Sequence, residues 1–187
     1  MYEDNRLDLL IGYDLPEKMD QRVERLYIEH LYMVSAYSEE NEALACIEPK
    51  ELHGVSLACS PGAFSMRRSI DKYAFDNKIS FNFVMDFQSA NASLKIVQAG
   101  LADGIASWDL ICDHVSTKLV SARRIVNPPL ERTVCLVSSL RNSQTEAATA
   151  IISIIKEAIE DAKAQNRIRD AAIEAEAVKT EAKVSES

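Results

Sequence analysis

Leu94-Lys95-Ile96-Val97-Gln98-Ala99-Gly100-Leu101-Ala102-Asp103-Gly104-Ile105-Ala106-Ser107 decides the reading of this chain. Ser89 upstream suits the N-cap of a helix running to about Ala99. Gly100 then stands where a helix stops, because it takes the left-handed backbone at least cost. Gly104 to Trp108 reads as a short strand, followed by a helix near Asp109–Leu119.

The same alternation extends outward. Ile79 to Phe87 sets Phe81, Phe83, Met85 and Phe87 against Ser80, Asn82 and Asp86, the period of a strand. From Ser65 the apolar positions Met66, Ile70, Tyr73 and Ala74 recur at helical steps. Val55–Cys59 is a strand broken by Ser60-Pro61-Gly62, and Pro49 suits the first position of a short helix or turn. Val23 to Ala36 suggests one or two strands, and Leu7–Tyr13 a buried one closed by Asp14 and Pro16. Beyond Gly104, Ile125-Val126 and Arg132–Ser138 read as strands on either side of Pro128-Pro129. A long helix follows from Asn142 or Ser143, with Ala147, Ile151, Ile154, Ile155 and Ile159 on its inner side. Strands alternating with helices of ten or so residues predict an α/β domain with a mainly parallel sheet. After about Gln165 the residues are mostly Ala, Glu and Lys, and 165–187 reads as a polar tail, a frayed helix or disordered.

With 187 residues the chain can hold one ordinary domain or two small lobes. The net charge of -8 argues against a surface built to grip nucleic acid. Arg67-Arg68 and Arg123-Arg124 are too short to form an electrostatic footprint. No apolar run approaches the ~20 residues of a membrane span, and the polar N-terminus lacks a secretory pattern. A cytoplasmic location away from membranes is the resulting expectation. The four cysteines, Cys46, Cys59, Cys112 and Cys135, form no C-x-x-C pair and have no His at ligand spacing. They read as reduced thiols, and no metal or cofactor is expected.

Three stretches together resemble one family, the effector-binding domains of LysR-type transcriptional regulators. Arg6–Tyr13 resembles the family's "G-x-L-D-hydrophobic" strand. Leu94–Ser107 is similar to its "V-x-A-G-L-G-h-x-h-L-P" segment, with Ala102 in place of the second glycine and Ser107 in place of the proline. Arg124-Ile125-Val126-Asn127-Pro128-Pro129-Leu130-Glu131-Arg132-Thr133-Val134-Cys135-Leu136-Val137 matches the return strand "I-x-x-P-x-L-x-R-x-h-x-h". The best match is to the branch related to nitrogen-assimilation and cysteine-biosynthesis regulators.

The resemblance implies a two-lobed α/β domain like the type II periplasmic binding proteins, spanning residues 1–164. Lobe one would be 1–36 with 132–164, and lobe two about 37–131. It also implies that the winged helix-turn-helix, the linker helix and the start of lobe one are absent, leaving the first lobe incomplete with exposed apolar surface. A small effector would lie between the lobes, lined by Tyr13, Ser60, Phe64, Ser65, Gln88, Ser89, Ser107 and Trp108. Ser60–Ser65 and Gln88-Ser89 sit at strand-to-helix turns, where ends of strands and helix N-termini offer donors to a ligand. Such hydroxyl-rich turns favour a small anion or carboxylate. Read without the family, Ser89 is equally a plain N-cap, Phe64 and Trp108 are packing aromatics, and Tyr13 is a strand terminus.

No nucleophile, base and orienting group stand together, so the chain does not read as an enzyme. His30, His53 and His114 have no partner that sequence can place, and Glu39, Glu40 and Glu42 read as a solvated turn. The function expected is effector sensing and oligomerisation without direct DNA contact, through homo-oligomers or an intact regulator subunit. The alternatives are a stand-alone small-solute-binding protein of the same fold, an enzyme on a related fold, or a non-functional truncated remnant.

Overall fold

The architecture was taken from a computed structural model, which describes residues 8–16, 21–42, 44–62, 65–139, 145–161 and 163. The chain forms two compact units: one ends its first segment at Glu29 and resumes at Arg132, and the other is His30–Glu131. Two long strands, β2 (Gln21–Ala36) and β8 (Glu131–Ser139), contribute to both. The stretch from Val23 to Ala36 therefore lies within one strand, the 16-residue β2.

In the first unit β1 (Leu9–Tyr13) pairs antiparallel with β8, in the register Ile11↔Leu136 and Tyr13↔Val134. Alternation puts Tyr13, Val134 and Leu136 on one face, where they pack with Leu26 against the helix α5 (residues 146–161). Thr145 caps α5, its hydroxyl accepting from Ala148 N–H at 3.2 Å. The predicted start, Asn142 or Ser143, lies outside the described residues, and the inner face is turned. Ala148, Ile152, Ile155 and Ile159 face inward, whereas Ala147, Ile151 and Ile154 are exposed. A helix repeating every 3.6 residues allows two adjacent apolar faces here, and the sheet takes the one carrying Ala148, Ile152, Ile155 and Ile159. Of the large hydrophobic residues described in this unit, Ile11, Ile28, Ile151 and Ile154 are exposed, while Val134–Val137 are buried.

In the second unit the C-terminal half of β2 pairs antiparallel with β6 (Gly104–Ser107) and β7 (Val120–Ile125). A two-residue strand β3 (Cys46–Ile47) adds parallel to β7. β4 (Ser56–Cys59) pairs parallel with β5 (Asn82–Asp86) and bridges Asp103 from Leu57. The expectation of a mainly parallel sheet is thus corrected. β1–β8, β2–β6 and β2–β7 are all antiparallel, because β2 and β8 are long and run against their neighbours.

The helices are α1 (Glu39–Glu42), α2 (Ser65–Asp76), α3 (Ala90–Gln98) and α4 (Trp108–Ser116). Ser89 is the N-cap of α3 and Gly100, at φ 68°, follows its C-cap. The acidic run forms the short helix α1 instead of a turn, with Glu42 accepting from Tyr37 at 2.7 Å and pairing with Lys118 at 3.2 Å. The predicted strand at Ile125-Val126 reaches back to Val120, since α4 ends three residues early.

Alternation along β2 divides the core. Leu31 and Met33 pack with Ile47, Leu57, Ile70 and Ile125 on the side of α2. Tyr32 and Val34 point to the opposite face and are buried with Val97, Ala106 and Ile111. Each fully buried Val, Leu, Ile or Met side chain among these contributes about 1.5–3 kcal/mol on leaving water.

Candidate functional site

β4 and β5 each end in a turn that leads into a helix, and β6 lies beside β4 with α3 packed over both. This arrangement leaves a cavity of about 170 Å³ under α3. Its mouth is formed by Ser60 after β4 and by Gln88 and Ser89 after β5. Its inner end, or floor, is taken as the buried Val34, Leu94, Val97 and Ala106, of which Leu94 and Val97 come from α3 itself, and Cys59, Met66, Phe87 and Leu110 also line it. Gly104 also lines it and cannot readily be larger: a Cβ there would meet Val97 Cγ2 at 3.2 Å.

The polar groups have specific arrangements. Ser89 has the extended backbone of an N-cap, yet its hydroxyl makes no capping bond. Its hydroxyl is therefore not engaged as a plain cap's would be. Ser93, one turn along α3, donates to the carbonyl of Ala58 at 3.5 Å. Burial pushes the Cys59 thiol up, partly offset by its contact with Ser60, and keeps it in the protonated form.

The remaining residues singled out by sequence lie elsewhere. Ser65 opens α2, and its carbonyl accepts from the Ser69 hydroxyl at 3.1 Å, while the cavity lining begins one residue later with Met66. Ser107 is buried as the N-cap of α4 and makes no side-chain capping bond. Trp108 packs on Tyr32, ring centroids 5.4 Å apart at 52°, an edge-tilted pairing typical of core aromatics. Tyr13 belongs to the other unit, where its ring lies under the guanidinium of Arg132. Phe64 lies outside the described residues.

The histidines do not assemble a reacting centre. His30 lies 3.4 Å from Glu131 and 3.0 Å from Arg124, and His53 Nδ1 accepts from Ser80 N–H at 3.3 Å. Among the described residues no three His, Cys, Asp or Glu side chains are grouped to hold a metal ion. Of the lining, sequence reasoning singled out only Ser60, Gln88 and Ser89; among those it missed are Val34, Cys59, Met66, Phe87, Ser93, Leu94, Val97, Ala106 and Leu110. Ser93 carried a usable signal, standing four residues after Ser89 on one helix face. The others read as ordinary core.

Comparison with known proteins gives one family and one fold. The family profile described as "LysR substrate binding domain" matches residues 1–160. A search of curated protein sequences finds no match. Among solved structures, the chain is similar to the regulatory domain of CcmR from Synechocystis in complex with 2-PG. That match has TM-score 0.74 and 11% identity, and covers 84% of this chain and 76% of that one. It is also similar to the regulatory domain of MetR, a LysR family regulator from N. meningitidis, with TM-score 0.70, 13% identity and coverage of 83% and 71%. A mutant of OxyR from Corynebacterium glutamicum matches with TM-score 0.74 and 18% identity, covering 90% of this chain and 53% of that one. At these identities the structural matches establish the fold, which is of the type II periplasmic-binding-protein-like kind.

Proposed function

From the premise that the chain belongs to the LysR substrate-binding domain family, we infer that it senses a small-molecule effector at the mouth formed by Ser60, Gln88 and Ser89. The observation that carries this reading is the cavity under α3, whose polar rim coincides with two strand-to-helix turns. Such turns are where open α/β sheets present donors to ligands. A ligand there bridges the ends of β4 and β5 and the start of α3. Ser89 supports the role because its hydroxyl is not engaged in capping. Binding without turnover is the role that membership of this family supports, so the site reads as that of a sensor and not of an enzyme.

The sensing domain acts by association, either with itself or with a regulator subunit that carries a DNA reader. The net charge of -8 supports the view that this domain does not itself contact nucleic acid. Among the described residues no helix is long and apolar enough to cross a membrane, and a cytoplasmic regulator is the fitting context.

The test is a thermal-shift screen of small organic molecules and anions, with light scattering on the same samples. A working sensor shows a rise in melting temperature with one ligand class and a defined oligomer. Gln88→Ala and Ser89→Ala should weaken that ligand about tenfold together, the loss of one or two hydrogen bonds. A ligand whose affinity ignores both substitutions would overturn the assignment of the mouth.

A further inference from the structure

We propose that the cavity under α3 takes an uncharged small molecule, with an apolar body about the size of one six-membered ring and one hydrogen-bonding group held at its mouth. The proposal rests on the mouth being the effector site and adds the chemical class of the effector.

Size comes from the volume. The cavity measures about 170 Å³, and apolar cavities on the order of 150 Å³ accept benzene. Its floor of Val34, Leu94, Val97 and Ala106 offers dispersion contact and no hydrogen bond.

Charge comes from the lining. Among the described residues, none that lines it is Asp, Glu, Lys, Arg or His. Two cations adjoin the lining in sequence, Arg67 beside Met66 and Lys95 beside Leu94, and Arg67 is already engaged. It pairs with Asp71 at 2.9 Å and Asp86 at 3.8 Å, and lies 3.3 Å over the ring of Phe83. Two carboxylates around one guanidinium leave that neighbourhood net negative, which disfavours an anionic ligand. The protonated Cys59 thiol adds no charge either. Bringing a carboxylate or an ammonium onto this floor would strip its water with no counter-charge to replace it. The start of α3 still favours an electron-rich atom, so a carbonyl or hydroxyl oxygen suits the mouth. Hydroxyl-rich turns alone suggested a small anion; the lining beneath them favours a neutral ligand.

Four probes with one ring and different charge test this on the full chain: benzyl alcohol, benzamide, benzoate and benzylammonium. Affinity is read by calorimetry, and occupancy of this cavity by the native-state alkylation rate of Cys59, with Cys112 on α4 as internal reference. The expected result is that the two neutral probes bind about tenfold or more tightly than the charged ones. They should also slow Cys59 alkylation several-fold while leaving Cys112 unchanged. Ala106→Leu, which fills the floor, should abolish both effects. If that variant does not fold, Leu94→Ala decides, because an enlarged floor should bind a neutral two-ring alcohol more tightly than the parent does.

Tightest binding by benzoate, with Cys59 protected, would overturn the neutral class and leave the mouth assignment standing. Failure of every probe to protect Cys59 would overturn the cavity as a binding site. The mouth assignment would then stand or fall separately, on the response of the screened effector to Gln88→Ala and Ser89→Ala.

Discussion

The guanidinium of Arg132 lies 3.5 Å above the ring centroid of Tyr13 while also pairing with the carboxylate of Glu29. Arg132 and Glu29 are 7% and 10% exposed, so the pair is nearly removed from water. Breaking such a pair leaves an uncompensated buried charge. Arg132→Ala should therefore destabilise the chain by about 3–5 kcal/mol in urea unfolding, from loss of the pair and of the stacking on Tyr13. Arg132→Met with Glu29→Gln should cost much less, since both charges leave together. Equal losses for the two variants would contradict this account of the pair.

Tyr73 donates to the carbonyl of Pro128 at 2.7 Å, tying α2 to the turn before β8. Burial raises its hydroxyl from the ordinary 10.0 to about 12. The protonated form is thus favoured in the folded chain. The stability this contributes is complete below pH 10 and is lost as pH rises through 10 toward about 12. Alkaline unfolding should show that window, and Tyr73→Phe should narrow it while costing about 1 kcal/mol at neutral pH.

Asp103 behaves in the opposite sense to a paired surface carboxylate. Burial pushes its carboxyl up, against the lowering effects of a hydrogen bond with Ser35 and of Arg123 nearby. A raised carboxyl disfavours the ionised form in the folded chain, so its contribution to stability improves as pH falls through the folded value. Asp103→Asn should raise the melting temperature at neutral pH, and the gain should shrink in acid. Loss of stability at neutral pH would mean that attraction by Arg123 outweighs burial.

The two apolar faces of α5 make a sharp comparison. Ile154 is 65% exposed, whereas Ile155 packs against Leu26, Val134 and Leu136. Ile154→Gln should change stability by less than about 0.5 kcal/mol. Ile155→Ala should cost about 2 kcal/mol, toward the low end for an aliphatic residue because it is only partly buried. Denaturant midpoints for the two variants decide it, and a larger loss at Ile154 would place the wrong face on the sheet.

These residues also show what sequence alone could convey. Ser89 and Gly100 bracket α3 because capping is a local matter, settled within one turn by side chain and backbone conformation. The direction of strand pairing was not legible, since a run such as Arg132–Ser138 pairs equally well either way until its neighbours are known. The inner face of α5 was obscured by isoleucine at both Ile151 and Ile152 and at both Ile154 and Ile155. For the site, the turns carrying Ser60, Gln88 and Ser89 were visible, because breaks between strand and helix leave a composition signal. The floor was not. Val34, Leu94, Val97 and Ala106 look like any packed core, and only the three-dimensional arrangement shows the space left between them.

The most direct test of effector sensing is a titration followed by methyl NMR with labelled alanines, using a ligand from the thermal-shift screen. Ala58, Ala90 and Ala106 line the cavity, and Ala148 on α5 is a buried reference in the other unit. The expected result is saturable shifts at Ala58, Ala90 and Ala106 with a single dissociation constant matching calorimetry. A ligand that binds tightly and leaves those three methyl signals unmoved would contradict the assignment.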